Sequence, residues 1–140
     1  MNGRQATVAY WALRIALGIV PIVAGADKFT NLLTNWPGYV SPFAARLLPM
    51  SPEAFMHVAG VIEILVGAAI LLGFSRIFAW VAMGWLSAIV LELLTTGRYF
   101  DVAARDAVMA TAAFALARLA EVVEHAPSHR RQPLESPTRA

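Results

Sequence analysis

The chain has 140 residues, 59% of them hydrophobic and 14% charged, with a formal charge of +2 and no cysteine. A soluble domain carries about 25% charged residues, so the deficit points to a polytopic membrane protein, and the small, scattered charge excludes a nucleic-acid partner. Without cysteine there are no disulfides, no thiol redox chemistry and no thiolate-bound metal, and with no HExxH motif a metal site is not expected.

In chain order, the first apolar run predicts a span over about 7–26. Arg4 ahead of it gives it the look of a signal peptide, but the run contains Arg14 and lacks a clear cleavage site, so it reads as a retained helix. Pro21 should kink it and free a backbone carbonyl. A long loop, 27–51, follows, rich in proline and in apolar residues such as Phe29, Leu32, Leu33, Trp36 and Phe43. It is expected to lie on the membrane surface or fold back over the helices. Ser51-Pro52-Glu53 is a helix start, with a capping hydroxyl, proline in the first turn and an acid at the positive dipole end. The second span, 52–73, contains Glu63 near its middle, where a carboxylate costs roughly 2.5–3.5 kcal/mol on insertion scales. Gly73-Phe74-Ser75 makes a tight connection to a third span over 76–96. The fourth, 102–122, is rich in alanine, and its small surface permits packing on two sides. Residues 1–126 thus form one all-α, four-helix transmembrane domain, each span long enough for a bilayer. Residues 127–140 form a polar tail expected to be disordered.

Basic residues set the orientation. With the N-terminus inside, the inner side holds Arg4, Arg76, Arg118, Arg130, Arg131 and Arg139 against Lys28, Arg46, Arg98 and Arg105 outside, which places both termini in the cytoplasm. On this topology Arg14 and Glu63 differ in depth by about 3 Å at 1.5 Å per residue. Three readings follow for them: an ion pair that neutralises two costly charges, a contact with a ligand or proton, or a Glu63 that is protonated and alone. Six residues from four helices share the outer level: Asp27, Lys28, His57, Glu92, Arg105 and Asp106. Singly, each suits capping or snorkelling; together they could line a polar vestibule beneath the first loop. Gly18 and Gly25, and likewise Gly60 and Gly67, stand seven apart and suit close helix approach, which places Glu63 on an inward face. Tyr10, Trp11 and Tyr99 suit an interfacial belt, and Trp85, which is deeper, suits lipid or helix packing more than stacking on a planar ligand.

Several of these motifs resemble the DoxX-like family of small four-span membrane proteins. They are Leu13-Arg14, Leu17-Gly18 and Gly25-Ala26-Asp27-Lys28 in the first span; Gly60, Glu63 and Gly67 in the second; and Arg105-Asp106 with the closing ALAR run, Ala115 to Arg118, in the fourth. The resemblance covers about 8–122. It implies a four-helix bundle in the bacterial cytoplasmic (inner) membrane. It also implies association with membrane oxidoreductases, as for the small subunits of archaeal thiosulfate:quinone oxidoreductase. The family bundle is distantly similar to that of vitamin K epoxide reductase, whose chemistry needs cysteines that this chain lacks.

The first functional expectation is an accessory subunit of a membrane redox complex that holds a quinone, with no covalent cofactor and little or no catalysis of its own. Arg14 and Glu63, or His57 and Glu92, would meet the quinone oxygens. The alternatives are a homo-oligomeric transporter or channel for a small molecule, and a scaffold that binds other membrane subunits through the fourth span.

Overall fold

The computed structural model describes residues 3–124. The polar tail expected over 127–140 lies outside the described residues, as do His125 and His129. Among the described residues all regular structure is helical: α1 (Gly3–Asp27), a 3-10 turn (Trp36–Tyr39), α2 (Pro42–Leu47), α3 (Pro52–Leu72), α4 (Ser75–Thr95) and α5 (Phe100–Glu124).

Local chemistry sets the boundaries. Ser41 and Ser51 each accept the backbone N–H three residues on, from Ala44 and Ala54, and a proline follows each in the first turn. Gly73 ends α3 in the left-handed conformation, φ +114°, which costs a glycine nothing. Its N–H returns to the carbonyls of Ala69 and Ile70, and only Phe74 separates it from α4. Pro21 lies within a continuous α1. Its missing N–H deprives the Leu17 carbonyl of its bond within the helix.

The four long helices pack as a ring in the order α1, α3, α4, α5, with α4–α5 and α1–α3 the closest pairs. Alanines make the α4–α5 approach possible: Ala79, Ala82, Ala113, Ala117 and Ala120 are all buried in the core with Tyr10, Leu17, Val66, Ile70 and Leu116. This core fills the half of the ring nearest the start of α1 and the end of α5. The other half, beneath residues 28–51, is less well filled.

Glycines set the α1–α3 seam. A Cβ on Gly60 would stand 2.6 Å from the Gly25 carbonyl oxygen, and one on Gly67 would meet the Gly18 carbonyl. The helices are antiparallel, so each step back along α1 is matched by a step forward along α3. Arg14 then stands level with Leu71, and Glu63 with Ile22. Backbones this close have no room for a methyl group. Gly60→Ala is expected to cost about 1–3 kcal/mol through overpacking, measured by denaturant titration in detergent micelles. The same change at Gly84, whose added Cβ meets nothing within 4 Å, should be neutral.

Helices α1, α3 and α4 are long and apolar enough to cross a membrane, by length and composition. Their outward faces carry exposed Val8, Ile15, Ile19, Val61, Leu65, Ile77 and Val81. The helix expected as a fourth span is present as α5, and it is as long as α1. Only α1, α3 and α4 qualify as apolar spans, because α5 carries Asp101, Arg105 and Asp106 in its first two turns and Arg118, Glu121 and Glu124 in its last two.

Candidate functional site

Toward the loop end the helices line a cavity of about 800 Å³. Leu17, Val66 and Ala82 form its floor against the core, and its walls are mostly aliphatic. Leu33, Thr34, Trp36, Tyr39 and Val40 of the first loop roof it. Polar groups gather toward the roof: Lys28, Glu63, Trp85, Glu92, Asp101, Arg105 and Asp106 all contribute to the lining.

At its centre Lys28 Nζ donates to Glu63 Oε2 at 2.6 Å, with Lys28 5% and Glu63 8% exposed. Lys28 follows the last residue of α1, where a cation suits the negative end of the helix dipole. Its ammonium also sits 3.8 Å from the centre of the Trp36 ring, a cation–π contact. Trp85 Nε1 lies 3.5 Å from Glu63 Oε1, a long contact that leaves this oxygen free to turn to the cavity.

Asp27 holds the roof from behind. Its carboxylate accepts the Trp36 indole N–H at 2.7 Å, the Thr30 hydroxyl, and the backbone N–H groups of Leu32 and Leu33. An acid at a helix C-terminus opposes the dipole; here four donors offset that cost and fold the turn so that Trp36 meets Lys28. Asn31, at φ +51°, supplies the left-handed step in that turn, a conformation asparagine tolerates. On the far side Glu92 Oε1 accepts the Ser41 N–H at 2.7 Å, and the Tyr39 ring meets the Tyr99 ring edge-on with centroids 4.6 Å apart.

The six residues expected at one outer level divide. Lys28, Glu92, Arg105 and Asp106 line the cavity. Asp27 stands behind them, buried and spent on the loop. His57 does not line the cavity but stacks on Phe29 at 4.9 Å. Arg105 Nε donates to Asp106 Oδ1 at 3.0 Å; Asp106 is buried while the arginine reaches outward.

The expected Arg14–Glu63 pair is corrected. Glu63 pairs with Lys28, and Arg14 caps the end of α3 instead. Arg14 Nε donates to the Ile70 carbonyl at 3.0 Å, Nη2 to the Leu71 carbonyl at 2.8 Å, and Nη1 to the Tyr10 hydroxyl at 3.0 Å. Tyr10 in turn donates to Glu124 Oε1 at 2.7 Å and lies 3.2 Å from Ser75 Oγ, which donates to the Ile70 carbonyl. The physical reason is register. Arg14 is level with Leu71, eight residues along α3 from Glu63, so the two differ in depth by about 12 Å. Sequence reasoning missed Tyr10, Ser75 and Glu124 in this network. It favoured packing for Trp85, and for the loop that carries Trp36 it left open a place on the membrane surface or a fold back over the helices, of which the structure has the second. The equal spacing of the glycine pairs was the available signal for the register; the apolar residues of the loop allowed it to fold back over the helices, but nothing in the sequence paired Trp36 with Asp27 and Lys28.

Chemically, the cavity offers an apolar chamber with a buried ammonium, a carboxylate and an indole N–H at one end. The family model of DoxX matches residues 9–102, a span that includes Arg14, Lys28 and Glu63 and stops short of Arg105 and Asp106. No curated protein and no solved structure matches the chain.

Proposed function

Because the chain belongs to the DoxX family and is a small integral membrane protein by its apolar helices, we propose that it is an accessory subunit of a membrane redox complex and holds a quinone between its helices. The observation that carries this reading is the polar end of the cavity, where Lys28, Glu63 and Trp85 meet in an otherwise aliphatic chamber.

The chamber suits the group. Its volume of about 800 Å³ lies within the range of small-molecule sites, which are apolar with a few placed polar groups. A quinone supplies two-electron, two-proton carrier chemistry. Its carbonyl oxygens only accept hydrogen bonds, and Lys28 has three donors, of which Glu63 takes one. Trp85 offers an indole N–H. The reduced ring carries hydroxyl groups, for which Glu63 Oε1 is the acceptor. With Pro21 opposite, the Leu17 carbonyl at the floor is a further acceptor. The chain contributes binding, orientation and exclusion of water, and electrons would pass to partner subunits.

In this reading α5 crosses the bilayer with the other three helices. Its 25 residues span about 37 Å, its charges stand near its ends, and α4 and α1 cover its buried face. The excess of arginine at the terminal end supports a cytoplasmic position for both termini, in a bacterial cytoplasmic membrane.

Native mass spectrometry of protein extracted gently from its own membrane tests the proposal. A bound quinone and co-purifying redox subunits are expected. A homo-oligomer carrying only phospholipid overturns it in favour of a transporter or scaffold. Glu63→Gln keeps the shape of the site, and it is expected to lower quinone occupancy about tenfold or more, as loss of one charge-assisted hydrogen bond would. Unchanged occupancy would remove Glu63 from the site.

A further inference from the structure

The way into the cavity is visible in how one stripe of α1 is covered. Tyr10, Leu13, Leu17, Val20 and Ala24 follow one another at spacings of three and four, so they lie along one face of the helix. At the terminal end this face is sealed: Tyr10 is 2% and Leu17 3% exposed, packed on α5 residues Leu116, Ala117 and Ala120. One turn further on Val20 is 45% exposed, and it lines the cavity. A residue that faces both the chamber and the outside marks an opening in the wall. The α5 side of the same gap carries Val102, Arg105 and Met109, all of which line the cavity, and the Arg105 side chain is 59% exposed. Val20 lies within a turn of Ile22, the residue level with Glu63. The gap therefore stands at the depth of the Lys28–Glu63 pair, which lines the same cavity.

The roof, by contrast, is fastened on several sides. Trp36 is bonded to Asp27 at the end of α1, Ser41 is bonded to Glu92 on α4, and Tyr39 is packed on Tyr99 in the turn before α5. A solute arriving from water would have to break these contacts. A molecule already dissolved among the lipid chains meets the aliphatic Val20, Val102 and Met109, with the exposed Arg105 beside them on α5.

We propose that the cavity is loaded sideways from the bilayer, through the gap between α1 and α5, and that its ligand is a membrane-dissolved amphiphile. The polar head reaches Lys28 and Glu63, while the hydrocarbon tail lies across Val20 and trails into the lipid. The inference rests on the cavity being the binding site of the previous section, but not on the ligand being a quinone.

The test needs no ligand and exploits the lack of native cysteine. Ala59 is buried on α3 and lines the cavity, and Ala59→Cys places a single thiol there. In liposomes the thiol is offered two methanethiosulfonates with the same reactive group, an apolar benzyl ester and a charged trimethylammonium-ethyl ester. The benzyl reagent is expected to react at least tenfold faster, and Val20→Trp, which plugs the gap, is expected to slow it about tenfold. The acidic groups near the roof attract the cationic reagent, so a route from water through the roof would favour it. Equal rates, a faster charged reagent, no modification by either, or no effect of Val20→Trp would each overturn it. Ala24→Cys, on the α1 wall of the same cavity, serves if Ala59→Cys fails to elute as the wild type does. A lateral gap with no bound quinone in the native mass spectrum would discard the quinone and leave this inference standing.

Discussion

Lys28→Met is expected to destabilise the protein by about 3–5 kcal/mol, the loss seen when one partner of a buried ion pair is removed. The Glu63 carboxylate, on a side chain whose Cβ packs against Gly25, would be left with only the long contact from Trp85 to stabilise it. The methionine chain fills much of the lysine's volume, so most of the loss comes from the stranded charge. Trp36 would also lose the ammonium held against its ring, so the loop should loosen. Lys28→Met with Glu63→Leu removes both charges and is expected to recover most of the stability, because an apolar pair of similar size often matches a buried ion pair. The check is a double-mutant cycle by denaturant titration in micelles, where a coupling energy near zero would show that the pair does not hold the fold. The cycle also separates stability from function: the double variant should be folded and should bind no quinone.

Arg14→Met is the second large effect, expected at about 3 kcal/mol. The guanidinium satisfies two carbonyls at the end of α3 and the Tyr10 hydroxyl. Hydrogen bonds from a charged donor contribute about 1.5–3 kcal/mol each, but they share one side chain and do not add fully. Without the arginine the Ile70 carbonyl keeps the Gly73 N–H and the Ser75 hydroxyl, so the loss falls on the Leu71 carbonyl and on the Tyr10 hydroxyl. Arg14→Lys should rescue only part of the loss, since an ammonium cannot reproduce the planar fork that spans Ile70, Leu71 and Tyr10. Thermal unfolding of the three proteins in the same detergent measures the order. A lysine variant equal to wild type would show that charge alone matters here.

Much of the architecture was legible in the sequence. The apolar runs, the Ser-Pro helix starts and Gly73 located the long helices to within a few residues. Glu63 stood out as an expensive group, and its burial in an ion pair follows from that expense. Its partner was not legible, because the depth estimate set the first two spans on a common inner plane. In fact α1 extends eleven residues beyond Arg14 to Gly3, while α3 ends one residue beyond Leu71. Matching Gly18 to Gly67 and Gly25 to Gly60 would have given the register and paired Arg14 with the end of α3. The outer polar level brought Lys28, Glu92, Arg105 and Asp106 to one cavity but misplaced His57, since a shared depth says nothing of which way a helix face turns. The inward fold of Trp36 depends on four donors converging on Asp27 within a turn, an arrangement with no periodic signature. The alanine-rich middle of α5 drew attention from its ends, where Asp101, Arg105, Asp106, Arg118, Glu121 and Glu124 leave too many charges for it to qualify as a span by itself.

The Lys28–Glu63 pair also bears on how the chain is made. Synthesis runs from α1 to α5, so the cation emerges long before its partner. Lys28 stands at the end of its helix, where an ammonium can wait among the lipid head groups, hydrated, while the following segment is translated. Glu63 has no such refuge, since it sits in mid-helix and must enter the hydrocarbon with α3. The order of the two residues along the chain therefore puts the charge that can wait first, and the one that cannot arrives to find its counter-ion already at the bilayer.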